Sequence, residues 1–392
     1  MTVRGFRFSG VACGIKKSKK KDLALIFSET PAVAAALFTT NRVKAAPVLV
    51  GMERLRRSKI QAVVVNSGIA NACTGKRGVS DAEAMCELVG SRLGIAAGLV
   101  FPSSTGVIGV PLPMDRIKRG ITKAAAALSA DSFSHAAEAI MTTDRFMKVS
   151  STSLVLGGKR VRVAGMAKGA GMIAPNMATM LAYVFTDAAA DADCVNSILR
   201  RSAEESFHRV TVDGDMSTND TVLLLANGAV GNRPIERGSR EAAGLLRAVS
   251  QVMKKLSIKL VEDGEGTTKL VEIRVEGARS GADARKIAFV VGNSKLVKTA
   301  FFGEDPNFGR VMAAVGYAGV PVRPEAIDVS FDRVTVVRNG VGLSSREKQA
   351  ARVLKRPSFK VRIQLHQGKA ATSIWTSDLS HTYVRINSAY RT

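Results

Sequence analysis

Two hydrophobic periods alternate along this chain, and no all-helical or all-strand fold accommodates both. Val271, Ile273 and Val275 alternate strictly with Glu272, Arg274 and Glu276, the period-two pattern of a half-buried strand. Val361, Ile363 and Leu365 repeat it against Arg362, Gln364 and His366. Leu154 and Leu156, then Val161 and Val163, flank Gly157-Gly158 as the arms of a tight hairpin, and Asn339-Gly340 marks another turn. Helical spacing is equally clear. From Glu241 onward Leu245, Val249, Val252 and Leu256 form one stripe, with Lys254 and Lys255 expected at a basic C-terminal end. Ser80 with Glu83 reads as a capping box opening a helix that carries Met85, Leu88 and Val89. Strands and helices interleave throughout, with no internal repeat and no Pro- or Ser-rich linker. The expected fold is therefore α/β (or α+β), an enzyme-sized body in which no clean interdomain hinge can be placed.

Length and charge narrow the class of protein. The chain has 392 residues, 46% of them hydrophobic, enough for a sizeable core and too many for a disordered basic tail. Lys and Arg number 57 against 33 Asp and Glu, a net charge of +24. Such an excess points first to nucleic acid. Its distribution argues otherwise: the densest cluster, Lys16-Lys17-Ser18-Lys19-Lys20-Lys21, is short and sits between strand-like stretches, as a solvated hairpin turn would. Aromatics are only 5%, leaving little material for base stacking. Acidic small molecules fit the charge at least as well. No apolar run approaches the ~18 residues of a membrane span, and Met1 to Gly14 lacks a signal-peptide core. The expectation is a cytoplasmic protein with no membrane partner. Cys13, Cys73, Cys86 and Cys194 lack metal or redox spacing and read as reduced, mostly buried thiols.

Standard catalytic motifs are absent: there is no GxSxG elbow, no HExxH and no phosphate-binding GxxxxGK[ST] loop. Gly169-Ala170-Gly171-Met172-Ile173-Ala174 fits GxGxxA, but Pro175 follows where a nucleotide-binding helix should open. The stretch Lys168 to Leu181 is instead loop-like and rich in small residues. A second glycine-bearing loop is expected over Pro102-Ser103-Ser104-Thr105-Gly106-Val107-Ile108-Gly109. Hydroxyls beside glycine amides suit an oxyanion hole, although a tight turn packed on a sheet explains either segment too. Two acidic segments, Asp213 to Asp220 and Glu262 to Lys269, lack a calcium-loop register. They read mainly as turns, with no metal expected.

Taken together, these segments resemble the ornithine acetyltransferase family, the arginine-biosynthesis enzymes also called glutamate N-acetyltransferases. The matching motifs are Asn66-Ser67-Gly68 with Asn71-Ala72-Cys73-Thr74-Gly75, SSTGVIG, KGAGMIAPNMATML, DGDMSTND, DGEGTTK, GEDPNFGR and the closing Tyr383 to Thr392. They occur in family order from Gly5 to the last residue. Two positions depart from the pattern: Ile69 stands where a polar residue is usual, and Phe308 replaces an expected Trp.

The resemblance implies a layered α/β sandwich of the self-cleaving type, two chains interleaved in one composite fold. The precursor cuts itself between Ala178 and Thr179, leaving an α chain (1–178) that carries the oxyanion loop and a β chain (179–392) that begins at its nucleophile. The Thr179 hydroxyl attacks the preceding carbonyl, an N→O acyl shift gives an ester, and water releases the two chains. The new α-amino group, with a pKa of about 7.7–8 in model peptides, then serves as base. The implied cycle is ping-pong: Thr179 takes the acetyl group from N-acetylornithine and passes it to glutamate. Thr105 (hydroxyl) and Gly106 (backbone N–H) match the oxyanion stabilisers, and Lys168, Thr179, Glu265, Asn387 and Thr392 the substrate-binding positions. A threonine of Met141-Thr142-Thr143-Asp144 joins them, assigned to Thr142 with Thr143 left open. Lys168 suits a carboxylate and Glu265 an ammonium group. No cofactor is implied, and acetyl-CoA stays open as a further donor. The implied assembly is two α and two β chains. A self-cleaving aminopeptidase of related fold, which typically uses Ser, is the competing class, and a basic nucleic-acid-binding protein a remote one.

Overall fold

The computed structural model describes residues 1–174 and 180–389. Among these, the first part of the chain forms β1 (Phe6–Val11), β2 (Leu23–Phe38), α1 (Ala46–Arg54), β3 (Lys59–Ile69), α2 (Gly75–Leu93), β4 (Val100–Val107), α3 (Met114–Ala126), α4 (Phe133–Ala139), β5 (Lys148–Leu156), β6 (Lys159–Lys168), β7 (Leu181–Thr186), α5 (Ala192–Glu204), β8 (Thr221–Ala226) and α6 (Arg240–Glu262). The remainder forms β9 (Leu270–Ala278), α7 (Gly281–Asn293), α8 (Lys295–Phe302), α9 (Phe308–Gly316), β10 (Asp328–Phe331), β11 (Val334–Arg338), β12 (Val341–Gly342), α10 (Glu347–Leu354), β13 (Ser358–Gln364), β14 (Ala370–Ser377) and α11 (His381–Ala389).

The first sheet runs β4-β3-β2-β8-β7-β6-β5, with β1 beside β2. It works as two layers because β2 belongs to both. The first half of β2 pairs with β1 and β3, its second half pairs with β8, and its register against β3 breaks between Phe27 and Ala32. Alternation sends each strand's two faces into different cores. On β7, Leu181, Tyr183 and Phe185 join Val63 and Val65 of β3 in the core between the layers, while Ala182 and Val184 face α5 and α6. On the far side Leu23, Leu25, Ala62 and Val64 pack against α2 and α3. The order is helix, sheet, sheet, helix, the expected α/β sandwich. A second sheet, β12-β11-β10-β13-β9-β14, builds a separate core with α7 to α10. No composition shift announces this division.

Several local expectations hold. Gly157 and Gly158 both have positive φ (54° and 75°) between β5 and β6, as do Asn339 and Gly340 (47° and 76°) between β11 and β12, the twist that tight hairpins require. Others need correction. The helix expected from Ser80 starts at Gly75, because the Asn71 side chain donates to the Gly78 carbonyl at 2.8 Å and secures a first turn poor in helix formers. Ser80 therefore lies inside α2 and caps nothing. The Glu241 helix runs on past Lys255 to Glu262, since Leu256, Leu260 and Val261 continue the buried face. Its N-terminus is capped by Ser239, which accepts the Ala242 N–H. Of the four thiols, Cys86 and Cys194 are buried but Cys73 is exposed.

The lysine cluster falls in the β1–β2 connection, as expected, yet it is not uniformly solvated. Buried Asp22 accepts the backbone N–H groups of Cys13, Gly14, Ile15 and Lys16 at 2.6–3.1 Å, which folds the loop around its carboxylate. Lys16 is thereby turned inward, and burial lowers its ammonium to about 8 despite the charges of Asp22 and Asp144. Among the described residues no helix is long and apolar enough to cross a membrane.

Candidate active site

The site lies where the C-terminal ends of β3, β4 and β6 meet the N-terminal ends of β5, β7 and β8. Residues 102–107, expected as a loop, complete strand β4 in parallel register with β3. Two glycines permit this. Gly106 sits opposite Gly68 with φ 131°, and a Cβ there would stand 2.2 Å from the Gly68 carbonyl carbon. The strand end presents Thr105 to Lys168, the last residue of β6, whose Nζ donates to Thr105 Oγ1 at 3.1 Å. Around them opens a small cavity, about 570 Å³ when its solvent-filled mouth is included. Its walls bring together Thr105, Gly106, Thr142, Thr143, Lys168, Glu265 and Asn387, spread over more than 280 positions of sequence. Both threonines of the 142–143 pair line it. Ala178, Thr179 and Thr392 lie outside the described residues.

The acidic segments, expected as turns, hold this wall in place. Asp213 Oδ2 accepts the Met172 N–H at 2.7 Å and its Oδ1 the Ile173 N–H at 2.8 Å, while Asp220 Oδ1 accepts the Met180 N–H at 3.1 Å. The chain is thus anchored on both sides of positions 175–179. Asn219 Nδ2 donates to the carbonyls of Ala70 (2.7 Å) and Ser104 (2.8 Å), joining the segment to β4. Burial pushes the Asp220 carboxyl well above the usual range, against the Met180 N–H and the Lys168 charge. In the second segment the Glu265 N–H reaches the Ala170 carbonyl at 2.8 Å, and its Oε2 accepts from Asn387 Nδ2 at 2.9 Å. Gly171 leaves room for that carboxylate: a Cβ there would lie 2.5 Å from Glu265 Oε2.

Behind the wall lies a group of charges that the sequence pattern does not single out. Asp144 accepts from Thr142 N (2.8 Å), Gly169 N (2.7 Å) and Lys148 Nζ (2.5 Å). Lys148 Nζ also donates to Asp263, which accepts from Arg145 Nε at 3.0 Å. The side chains of Asp144, Lys148 and Asp263 are fully buried. Burial alone would raise Asp144, but the Lys168 and Lys148 charges and the Gly169 N–H overcome it and hold the carboxyl at about 2. Lys168 itself is pulled down from the usual lysine range by burial, with Asp144 its strongest opposing charge. The signal available was Asp144, which directly follows the Thr142-Thr143 pair. Lys148 and Asp263 look like ordinary surface charges until the fold buries them. Ile69 joins the apolar layer under α2, and Phe308 packs on Gly342, so both departures are absorbed by packing. Among the described residues no group of three or more His, Cys, Asp and Glu is placed to hold a metal ion.

A four-layer α/β sandwich with hydroxyls, a buried ammonium and a carboxylate converging on one small cavity defines a layered α/β enzyme. The chain belongs to the ArgJ family, whose profile matches residues 7–392. It is 51% identical over 393 residues to the arginine biosynthesis bifunctional protein ArgJ of Geobacter sulfurreducens, covering all of both chains. It is 48% identical to the protein of that name in Symbiobacterium thermophilum, over 99% of this chain and 97% of the relative. A crystal structure of arginine biosynthesis bifunctional protein argJ from Bacillus halodurans aligns at 45% identity, covering 45% of this chain and 92% of the other, with a TM-score of 0.43.

Proposed function

We propose that this chain is a self-processing acetyltransferase of arginine biosynthesis, moving the acetyl group of N2-acetyl-L-ornithine to L-glutamate. The observation that carries this reading is the single cavity lined by Thr105, Gly106, Thr142, Thr143, Lys168, Glu265 and Asn387, residues that come from separate motifs of one family. In the proposed cycle the α-amino group of Thr179 takes the proton of its own hydroxyl as Oγ attacks the acetyl carbonyl. Thr105 and Gly106 stabilise the oxyanion, the C–N bond breaks, and ornithine leaves with the proton. Glutamate then attacks the acetyl ester by the same steps in reverse. Lys168 pairs with a substrate carboxylate and Glu265 with an ammonium group, Asn387 holding Glu265 in line. Thr142 and Thr392 complete the substrate contacts. No cofactor is required, acetyl-CoA being a candidate second donor. The enzyme works in the cytoplasm as two α and two β chains.

A denaturing gel tests the reading. Purified protein is expected to give fragments of 178 and 214 residues, and Thr179→Ala a single band. The cleaved protein should transfer acetyl from N-acetylornithine only when glutamate is present. Peptide hydrolysis without transfer would favour an aminopeptidase instead, and intact wild-type protein after long incubation would sink the mechanism. Acetyl-CoA with glutamate alone decides the second donor.

A further inference from the structure

Three of the pocket's walls come from separate segments, two of them flanking the paired strands β5 and β6. Thr142 and Thr143 follow α4, Lys168 ends β6, and Glu265 follows α6. Asp144 bonds the first wall through Thr142 N and the second through Gly169 N, the residue next to Lys168. Lys148 carries the link on to Asp263, two residues before Glu265. A buried ion cluster is an expensive way to pin three segments, since apolar packing of similar volume does so without desolvating charge. Its charge therefore calls for a use. The site supplies one in Lys168, the buried cation of the pocket, which bonds only the Thr105 hydroxyl among the described residues.

We propose that Asp144, pinned by Lys148 and Asp263, is the positioning residue of this pocket: a buried counter-charge that seats Lys168 for a substrate carboxylate while holding the three walls in register. This rests on the acyl-transfer reading of the site and extends it. The charged groups around Lys168 are Asp144 before β5, Lys148 at its start, Asp220 before β8, Glu265 after α6 and Lys16 of the β1–β2 loop. Asp144, Asp220 and Glu265 favour its proton, whereas Lys148 and Lys16 oppose it.

The signs for Asp144 and Lys148 separate this role from a purely structural one. In Asp144→Asn the chief opposing charge is gone, so Lys168 loses its proton at lower pH. The alkaline limb of kcat/KM for glutamate is expected to move down by about one pH unit, with KM raised about tenfold or more and a smaller change in kcat. In Lys148→Met the like charge is gone and Asp144 serves Lys168 alone. The limb should then move up, while the loosened walls still raise KM. Opposite displacements support the proposal. Uniform loss of activity at every pH in both variants, or unchanged profiles, overturns it. Should Asp144→Asn fail to fold, Lys148→Met decides alone: a wild-type KM, or a limb that stays put or moves down, overturns the proposal. Wild-type enzyme without glutamate-dependent transfer refutes the acyl-transfer reading itself, a separate outcome.

Discussion

At the scale of single residues, the site combines two demanding features, a backbone approach that only glycine allows and a buried charge cluster. Gly106 accepts a φ of 131° and a backbone approach that excludes any Cβ. Gly106→Ala should separate β4 from β3 and displace the proposed oxyanion donor. A loss of about 10²–10³-fold in kcat is expected, together with a lower melting temperature. Asp144 gives a pH-dependent prediction. Its carboxyl is held at about 2 against an ordinary 3.8, so its contribution to stability is complete above pH 4 and disappears as pH falls through 2. That contribution is about 2 kcal/mol. The stability gap between wild type and Asp144→Asn, from urea unfolding at a series of pH values, should therefore narrow from pH 4 to pH 2. A constant gap would contradict the assignment.

At the scale of elements, the hairpins and the strictly alternating strands β9 and β13 were legible because their signals are local. The start of α2 was not, because its first turn depends on Asn71 reaching Gly78. Strand β4 was hidden for a related reason: Ser103, Ser104, Thr105 and Gly106 look like a loop until β3 lies beside them. The C-terminal helix α11 shows how loosely an element can be attached and still serve a site. None of its residues is buried, and its ties among the described residues include Asn387 to Glu265, Tyr383 Oη to Asp213 (3.3 Å) and a ring contact between His381 and Phe302. Asn387→Ala should raise KM for the amino-acid substrates several-fold with a melting temperature close to wild type, since it removes a pocket contact and no core. A large drop in melting temperature would assign α11 a structural role instead.

At the scale of the whole molecule, the proposed cut falls between β6 and β7, all of β7 pairing with Val163 to Lys168 of β6, and β8 pairs with β2 from the other side of the cut. Residues 1–178 carry 26 Lys and Arg against 10 Asp and Glu, and residues 179–392 carry 31 against 23, so the two parts repel at +16 and +8. Shared strands and a common core must hold them. Cleaved protein is expected to elute as one species in gel filtration from low salt to 1 M salt, and to separate only in denaturant. Separation at low salt would mean that the interleaved sheet does not survive cleavage.

The amino-acid sequence by itself determined the α/β class, the hairpin turns, the main amphipathic faces and, through motifs in family order, the membership and most of the residues named here that line the candidate pocket. Those features depend on neighbours in the chain or on residue identities that keep their meaning anywhere. Only the tertiary structure decided which charges are buried. Asp144, Lys148 and Asp263 resemble any solvated residues until β5, β6 and the end of α6 close around them. Likewise, Asp213 and Asp220 pass for turn residues until their carboxylates meet the backbone on either side of positions 175–179. A buried charge is defined by what surrounds it in space, and a one-dimensional pattern does not carry that information.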